Sequence, residues 1–370
     1  AALATDAGRF SHAYMMGYGM LVCVVVGSLF FVALHHLTGA VWSVVVRRVA
    51  EALAAPAWLL AVFFVPIAFF VLLPGRFELF PWTDAGLVAH EHLLQEKQAY
   101  LNIPFFLVRG VAFLAVWLGF AWYFIKNSTR QDHKSDASKT VRMRKAAPVF
   151  MLFFAVTVTF AGIDWFMSLE PRWFSTIFGV YIFSGMIVTA LAAIVIATVA
   201  LSRRGYLGEH VVTPDHLYNL GALLFAFVCF WAYIAFSQYM LIWYANMPEE
   251  SFYMVHRLQG GWLGVSVALA LVRFVIPFFV LLSRRAKMHP GVLLWVALFI
   301  LVGQLLDLYW LVMPQFHTAA PVFGWQEAGP TLLMTGLAVW VIVEFLQRHP
   351  ALPIGDPLLE QSKQIGRASC

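Results

Sequence analysis

Residues 159–176 read TFAGIDWFMSLEPRWFST and place a carboxylate, Asp164, near the end of an apolar run that begins around Pro148. The residues before Asp164 are typical of a membrane-spanning helix, and those after Pro171 are typical of the exit to an interface. An ionisable group inside such a helix costs about 2.5–3.5 kcal/mol at mid-bilayer on insertion scales. The rest of the chain must therefore supply a partner that makes Asp164 tolerable.

The composition predicts a polytopic α-helical membrane protein. The 370 residues are 62% hydrophobic and 12% charged, with a mean hydropathy of +0.79, whereas soluble domains carry about 25% charged residues. The apolar residues come in repeated runs of about 20, each long enough to cross a hydrocarbon core of about 30 Å. An all-α fold with many membrane crossings is the class that such runs predict.

The apolar runs predict nine spans. Interruptions such as Pro66 and Pro277 are tolerable within a span if neighbouring helices satisfy the freed carbonyls. The predicted spans, numbered 1 to 9, cover residues 12–37, 51–73, 104–125, 148–168, 176–201, 217–245, 258–282, 291–313 and 330–347.

Basic residues alternate between the two sides of this topology. The segments after spans 1, 3, 5, 7 and 9 contain 17 of the 24 lysines and arginines, among them Arg47, Arg48 and seven between Lys126 and Lys145. The opposite side contains five, and the remaining two fall inside spans. Because basic loops stay in the cytoplasm, this split predicts a cytoplasmic C-terminus, with residue 1 outside. The pI near 9.1 then reflects loop charges that orient the chain, and we expect no nucleic-acid partner.

The cysteines and histidines do not form the ligand patterns of a redox centre. Cys23, Cys229 and Cys370 form no CxxC or CxxCH pattern, which iron–sulfur clusters and c-type haem require. Haem b would need histidines on facing spans, but His35 and His36 are adjacent and point about 100° apart on a helix. No second mid-span histidine exists. We therefore expect no metal and no cofactor bound by this chain.

A weak parallel repeat relates spans 1–4 to spans 5–8. The tripeptide Leu-Val-Arg ends at Arg109 in span 3 and at Arg273 in span 7, and Asp164 and Asp307 each lie seven residues before a proline. Both aspartates lie about 16 residues from the cytoplasmic start of their spans, roughly 24 Å along a helix and hence in the outer third of the bilayer. Helices joined by one loop usually pack as neighbours, so we expect the pairs Arg109–Asp164 and Arg273–Asp307.

The repeat predicts two four-helix bundles and a flanking helix. Residues 1–170 would form the first bundle with an external loop at 74–103, residues 171–315 the second bundle, 316–347 the last transmembrane helix and 348–370 a cytoplasmic tail. The external loop is interpreted as an amphipathic lid. Alternatively it is a docking surface or a metal site, for which its His90-x-His92 pair is weak evidence.

Two functions fit the buried pairs. Intramembrane carboxylates can act as relay sites in a proton-conducting half-channel open to the outside. Alternatively, the pairs only lock helix packing, because an arginine partner keeps a carboxylate ionised and makes it a poor proton carrier. The candidate proton path comprises Asp164, Asp307, Arg109, Arg273, Ser237, Gln238, His35 and His36.

A quinone site is a further possibility near the outer interface. It would need a carboxylate or histidine, a second hydrogen-bond partner and an aromatic-lined pocket. The candidates are Asp164, Trp165, Trp173 and Tyr181. Their aromatic character is equally typical of interfacial belts.

Five motifs resemble one family of membrane proteins. From about residue 28 to residue 357 the chain is similar to the smaller NrfD-type (ActF-like) membrane subunit of alternative complex III, a bacterial quinol:electron-acceptor oxidoreductase. The motifs are HHLTGAVWSVVVRR (35–48), GIDWFMSLEPRWFSTIFG (162–179), VVTPDHLYNLGALLFAF (211–227), AFSQYMLIWYANMPEE (235–250) and RLQGGW (257–262).

The resemblance implies a place in a bacterial inner-membrane electron transport chain, respiratory or photosynthetic. The fold would be similar to that of the membrane subunit of polysulfide reductase, with two four-helix bundles plus flanking helices. A larger sister subunit would contain the quinol site beside an iron–sulfur subunit, and multihaem and monohaem cytochrome c subunits would carry electrons onward. Quinol, c-type haems and iron–sulfur clusters are thus expected in partner subunits. Asp164 lies in the family's IDW-MSLEP motif.

The leading hypothesis is a non-redox membrane subunit that scaffolds the sister subunit and conducts protons. The alternatives are a secondary transporter that works alone and a subunit with its own quinone site. The chain departs from the family in two ways. Family members have ten spans where nine are visible here, and the final QSKQIGRASC matches no motif and is expected to be a disordered end.

Overall fold

Helices form all of the regular structure in the described part of the chain. A computed structural model gives residues 7–133, 136–317 and 320–366. Four residues on which predictions above depend lie outside these ranges. They are residue 1, Lys134, Arg367 and Cys370.

Nine helical stretches in the described residues are long and apolar enough to cross a membrane. They confirm the predicted all-α polytopic fold and follow the predicted order of spans. Spans 1 to 9 are Ala7–Thr38, Val44–Leu72, Ile103–His133, Ala137–Leu169, Phe178–Arg203, Pro214–Ala245, Gly260–Leu282, Pro290–Gln315 and Trp325–Arg348.

Prolines mark the irregular points of spans 2 and 7. Span 2 consists of helices Val44–Ala54 and Ala57–Leu72, and Pro56 lies at the junction. Span 7 consists of Gly260–Ala270, a π-helical turn at Leu271–Val275, and Ile276–Leu282. Pro277 lacks the N–H that would bond the carbonyl four residues earlier, at Arg273. A π turn of this kind widens the helix at the residue that carries the buried arginine.

The spans pack as two rings of four around a shared centre. Spans 1–4 contact one another in cyclic order, and spans 5–8 do the same. Span 1 packs along span 5, and span 9 packs against span 1. The apolar windows of spans 1 and 5 are each 83% buried, against 22% for span 9. Spans 1 and 5 therefore form the core, and the other spans surround them.

One face of the molecule carries the loop at 74–103, and we call it the loop side. The loop folds into the short helices Pro74–Phe77, Ala85–His90 and His92–Lys97, with a 3₁₀ turn at Pro81–Thr83. Its Trp82 is buried against the ring of Phe106 on span 3, with centroids 5.3 Å apart. The loop is thus anchored to the first ring through Trp82.

The opposite face, which we call the tail side, contains a buried ionic network that we call the Arg47 cluster. It comprises Arg47, Arg48 and Glu51 of span 2, Asp132 of span 3 and Asp356 of the C-terminal segment. Arg47 contacts both Glu51 and Asp356, and Arg48 lies 3.0 Å from Glu51 and 2.7 Å from Asp132. The pattern of basic residues along the sequence predicts that both arginines lie in a loop. They are instead fully buried in a helix, because carboxylates from three elements compensate their charge.

The C-terminal segment packs on the tail side rather than extending into solvent. It forms a helix at Leu359–Gln364, and Ser362 is fully buried. The Ser362 hydroxyl donates to the carbonyl of Trp42, and the Thr213 hydroxyl donates to the carbonyl of Ile365. The expectation of a disordered end is therefore wrong for residues 361–366, because polar groups of the helix connections hold their backbone.

Candidate functional site

The first candidate pair joins spans 3 and 4 as predicted. Arg109 donates from Nε to Asp164 Oδ2 at 2.7 Å and from Nη2 to Asp164 Oδ1 at 3.0 Å. The carboxylate is 0% exposed and the arginine 8%. A bidentate pair of this geometry offsets most of the cost of burying the two charges.

Residues of the loop side complete the surroundings of Arg109. Its Nη1 donates to the carbonyl of Tyr100 at 3.0 Å, and its guanidinium lies 3.8 Å from the Tyr100 ring centroid and 4.2 Å from that of Phe105. Burial, followed by the nearby Asp164 carboxylate, raises the pKa of the Tyr100 hydroxyl. The pair therefore lies at the edge of the first ring, directly beneath the loop.

The second pair joins spans 7 and 8, also as predicted, but it belongs to a larger network. Arg273 donates to Asp307 Oδ2 at 2.9 Å and to Gln304 Oε1 at 2.5 Å. Thr189 of span 5 donates to the same Gln304 oxygen at 2.7 Å, and the Tyr181 hydroxyl donates to the other oxygen of Asp307. Spans 5, 7 and 8 thus meet at one buried polar site, which we call the Asp307 site.

Two members of the Asp307 site were missed from the sequence. Gln304 lies one helical turn before Asp307 and so faces the same side of span 8, which is a signal that could have been used. Thr189 gives no comparable signal, since a threonine in an apolar helix usually bonds its own backbone, as Thr189 also does with Gly185.

A small cavity lies beside the Asp307 site. Its volume is about 20 Å³, and its walls include Gly19 and Cys23 of span 1 together with Tyr181, Gln304 and Asp307. Most of its wall is apolar, and its volume is about that of one water molecule. Among the described residues, the Asp307 site therefore combines a carboxylate, a hydroxyl and space for a water, the elements of a proton relay.

The histidines of the predicted path lie apart from both aspartates. His35 Nδ1 is 2.6 Å from the Ser43 hydroxyl, and His35 Nε2 is 3.2 Å from Arg47 Nη1. His36 stacks on Phe124 with ring centroids 5.7 Å apart. From Cys23, at the Asp307 cavity, to His35 is 12 residues of one helix, roughly 18 Å. The structure thus places this histidine pair next to the Arg47 cluster on the tail side.

Of the Ser237–Gln238 pair, only Gln238 lines a groove on the surface of the second ring. The groove has a volume of about 600 Å³ and is almost entirely apolar. Gln238 is buried in its wall, while Ser237 is half-buried. The groove is lined by residues of spans 5 to 8, among them Tyr181, Trp231, Gln238, Ser266, Phe274 and Trp310.

The four quinone-site candidates divide between two clusters. Asp164 and Trp165 belong to the first ring, where Trp165 packs on Tyr18 with ring centroids 5.3 Å apart. Tyr181 contacts Asp307 rather than Asp164. Trp173 stacks on Tyr253 with centroids 3.8 Å apart and an interplanar angle of 9°. The structure brings Asp164 and Trp165 together but does not bring Tyr181 to them.

No three His, Cys, Asp or Glu side chains of the described residues come close enough together to hold a metal ion. That finding covers the His90 and His92 loop. No protein-family model matches the chain, and no curated protein matches it.

Proposed function

We propose that this chain is a non-redox membrane subunit of a quinol:electron-acceptor oxidoreductase, in which it scaffolds the quinol-oxidising subunit and conducts protons. The observation that carries the proposal is the presence of a buried arginine–aspartate pair in each ring, at matching positions of its third and fourth spans. The resemblance of five motifs to the smaller NrfD-type subunit of alternative complex III supports the assignment to such a complex.

The two pairs differ in a way that supports a relay at each. Asp164 lies under the loop, where its arginine is slightly exposed, whereas Asp307 is enclosed with a hydroxyl and a water-sized cavity. Buried acids of membrane proteins occur mostly along proton or ion pathways. Because each arginine stabilises the ionised acid, proton transfer requires the pair to loosen transiently, which links conduction to movement within the ring.

Purification tests the assignment to a complex. The chain, tagged at the end of the C-terminal segment, is isolated in mild detergent from its native membrane, and its partners are identified by mass spectrometry and haem absorbance. We expect stoichiometric iron–sulfur and cytochrome c subunits. A chain that emerges alone and folded would favour a secondary transporter and overturn the proposal.

A second candidate function, a quinone site in this chain, is favoured by the groove on the second ring. The groove has the size of a ligand pocket, and its aromatic walls include hydrogen-bonding groups of Tyr181, Gln238 and Trp231. A photoreactive quinone should label residues of span 6 if the groove binds it. Labelling confined to partner subunits would exclude this function.

A further inference from the structure

A second cavity lies on the loop side, about 510 Å³ in volume. Its walls come from the loop at 74–103, from the segment that follows span 4 and from the helix Pro248–Leu258 between spans 6 and 7. Its polar wall residues are Glu170, Arg172, His256 and Gln315. Glu170 therefore lies in a cavity on the loop side, next to the connection between spans 6 and 7.

Glu170 differs from the other carboxylate of this region in having no ion-pair partner. Glu91 forms a salt bridge with Arg172 at the surface. Among the described side chains, none lies within ion-pair distance of the Glu170 carboxylate, which is half-buried. Burial raises the pKa of Glu170, an effect opposed by Arg257, Arg172 and His256 and reinforced by Glu91.

Arg257 lies behind Glu170 and is 1% exposed. Its guanidinium donates to the carbonyls of Tyr253, Trp310 and Leu311 at 2.9–3.1 Å and lies 3.5 Å from the Tyr253 ring centroid. Within the described residues, no carboxylate forms a salt bridge with it. Burial lowers the pKa of Arg257, and the nearby Tyr253, Glu170 and Tyr181 oppose this shift.

Contacts of Arg257 link the Glu170 segment to the Asp307 site. Leu311, whose carbonyl accepts from Arg257, also lines the small cavity shared by Asp307 and Tyr181. On the other side, the backbone N–H of Trp173 donates to the Glu170 carbonyl, and the Trp173 ring stacks on Tyr253, whose carbonyl accepts from Arg257. Glu170, Arg257 and the Asp307 site thus succeed one another from the aqueous face inward.

We propose that Glu170 is the carboxyl through which the Asp307 site exchanges protons with the aqueous phase on the loop side. The inference rests on the proposed proton conduction and names its outer group. In the outward direction, a proton leaves Asp307, passes by hydroxyl and water to the Glu170 carboxylate, and is released from Glu170 into the cavity. Both carboxyls end ionised, and no electron is transferred.

Arg257 accounts for selectivity at this position. A fixed positive charge without a paired carboxylate repels sodium and potassium ions from a polar passage. It also stabilises ionised Glu170, so that the carboxyl can release its proton again. Arg257 is a positioning residue in this scheme because it carries no transferred proton.

Carbodiimide modification tests the titration of Glu170 directly. Dicyclohexylcarbodiimide reacts with protonated carboxyls in apolar surroundings, and mass spectrometry locates the product. In the purified complex, we expect Glu170 to be modified at about pH 6, where an ordinary glutamate is almost fully ionised. Glu91, whose pKa the Arg172 guanidinium lowers, is the internal control. Modification of Glu170 no greater than that of Glu91 would overturn the proposal.

Proton transfer in proteoliposomes tests its role. We expect Glu170→Gln to reduce the proton translocation rate at least about tenfold while quinol oxidation by the uncoupled complex continues. Glu170→Asp should restore most of the rate, and Glu91→Gln should leave it unchanged. If the wild-type complex translocates protons and Glu170→Gln does so equally well, this inference fails alone. If the wild type translocates none, the proposed proton conduction fails as well.

Discussion

At the scale of single residues, several buried charges lie in contact with opposite charges, whereas the buried Arg257 donates to backbone carbonyls. Asp164 and Asp307 each contact an arginine, and Arg47 contacts two carboxylates. Removal of one partner from such a pair leaves an uncompensated charge, whereas replacement of both by apolar residues is often neutral. This asymmetry separates a structural role from a relay role.

A double substitution applies this asymmetry to the first pair. We expect Asp164→Leu alone to destabilise the chain by about 3–5 kcal/mol, because Arg109 is left buried and unpaired, and Arg109→Met/Asp164→Leu to recover most of that loss. Thermal unfolding in detergent measures both. If the pair is a relay, the stable double variant still translocates fewer protons per electron. A double variant with wild-type proton translocation would show that the pair only locks packing.

Glu170 should make stability depend on pH. Burial raises its pKa above the usual 4.5 in the folded chain, so the folded state binds the proton more tightly than the unfolded state does. The resulting stabilisation is present in acid and is lost as the pH rises through the folded-state pKa. The difference in melting temperature between Glu170→Gln and wild type should therefore shift in favour of the variant as the pH is raised from about 4 to about 8. An unchanged difference across this range would contradict the shift.

The two pairs are predictable from the sequence because helices joined by one connection usually pack as neighbours. Arg109 and Asp164 lie at similar depth on helices joined by one connection, and so do Arg273 and Asp307. The Tyr181–Asp307 contact joins residues 126 positions apart, and no short spacing encodes it. Arg257 is one of the five basic residues that the sequence places in loops on the outer side. Its burial is not predictable from the sequence, because its partners are three backbone carbonyls and not side chains.

At the scale of helices, small residues decide how closely the central spans approach. A Cβ on Gly27 of span 1 would lie 2.7 Å from the Cβ of Ala190 and 2.9 Å from the carbonyl oxygen of Met186 in span 5. Helices in membranes associate largely through such close packing, because lipid supplies no hydrophobic drive between them. The contact between spans 1 and 5 joins the two rings.

Enlarging Gly27 should separate the rings. We expect Gly27→Leu to destabilise the chain by about 1–3 kcal/mol or more, because the added atoms overlap backbone as well as side chain. Gly119→Leu is the matched control, since nothing lies within 4 Å of a Cβ at that position of span 3. Thermal unfolding and yield in detergent measure the difference. Equal losses for both variants would contradict close packing at Gly27.

The order and number of the apolar spans in the described residues were predictable from the sequence. The residues at which the helices begin and end were less predictable. Apolar runs located all nine spans, but span 2 begins at Val44 rather than at residue 51. The reason is that Arg47, Arg48 and Glu51 interrupt the hydropathy signal although they are buried. Only contacts with Asp132 and Asp356, which lie far along the chain, make these charges compatible with a packed helix.

At the scale of the whole molecule, the C-terminal segment completes the Arg47 cluster. We expect Asp356→Asn to destabilise the chain by several kcal/mol at most. The reason is that the substitution removes a buried countercharge of Arg47. The control is Glu360→Gln, which removes a surface pair with Lys363 worth under about 1 kcal/mol. Thermal unfolding compares the two. A loss no larger than that of the control would mean that Asp356 is dispensable.

The orientation of the two faces is a separate prediction from the distribution of basic residues. In a background with Cys370→Ser, His92→Cys on the loop side should react with a membrane-impermeant maleimide that is added outside the intact membrane. Arg204→Cys, beyond the opposite end of span 5, should react only after that membrane is broken. The reverse pattern would overturn the cytoplasmic assignment of the tail.

The docked C-terminal segment has a consequence for biosynthesis. Arg47 leaves the ribosome some 300 residues before Asp356, since the two are 309 positions apart. During nearly all of translation the nascent chain therefore lacks one of the countercharges of Arg47 in span 2. A prematurely terminated product would keep this buried arginine without one of its countercharges, so we expect it to be less stable than the full chain.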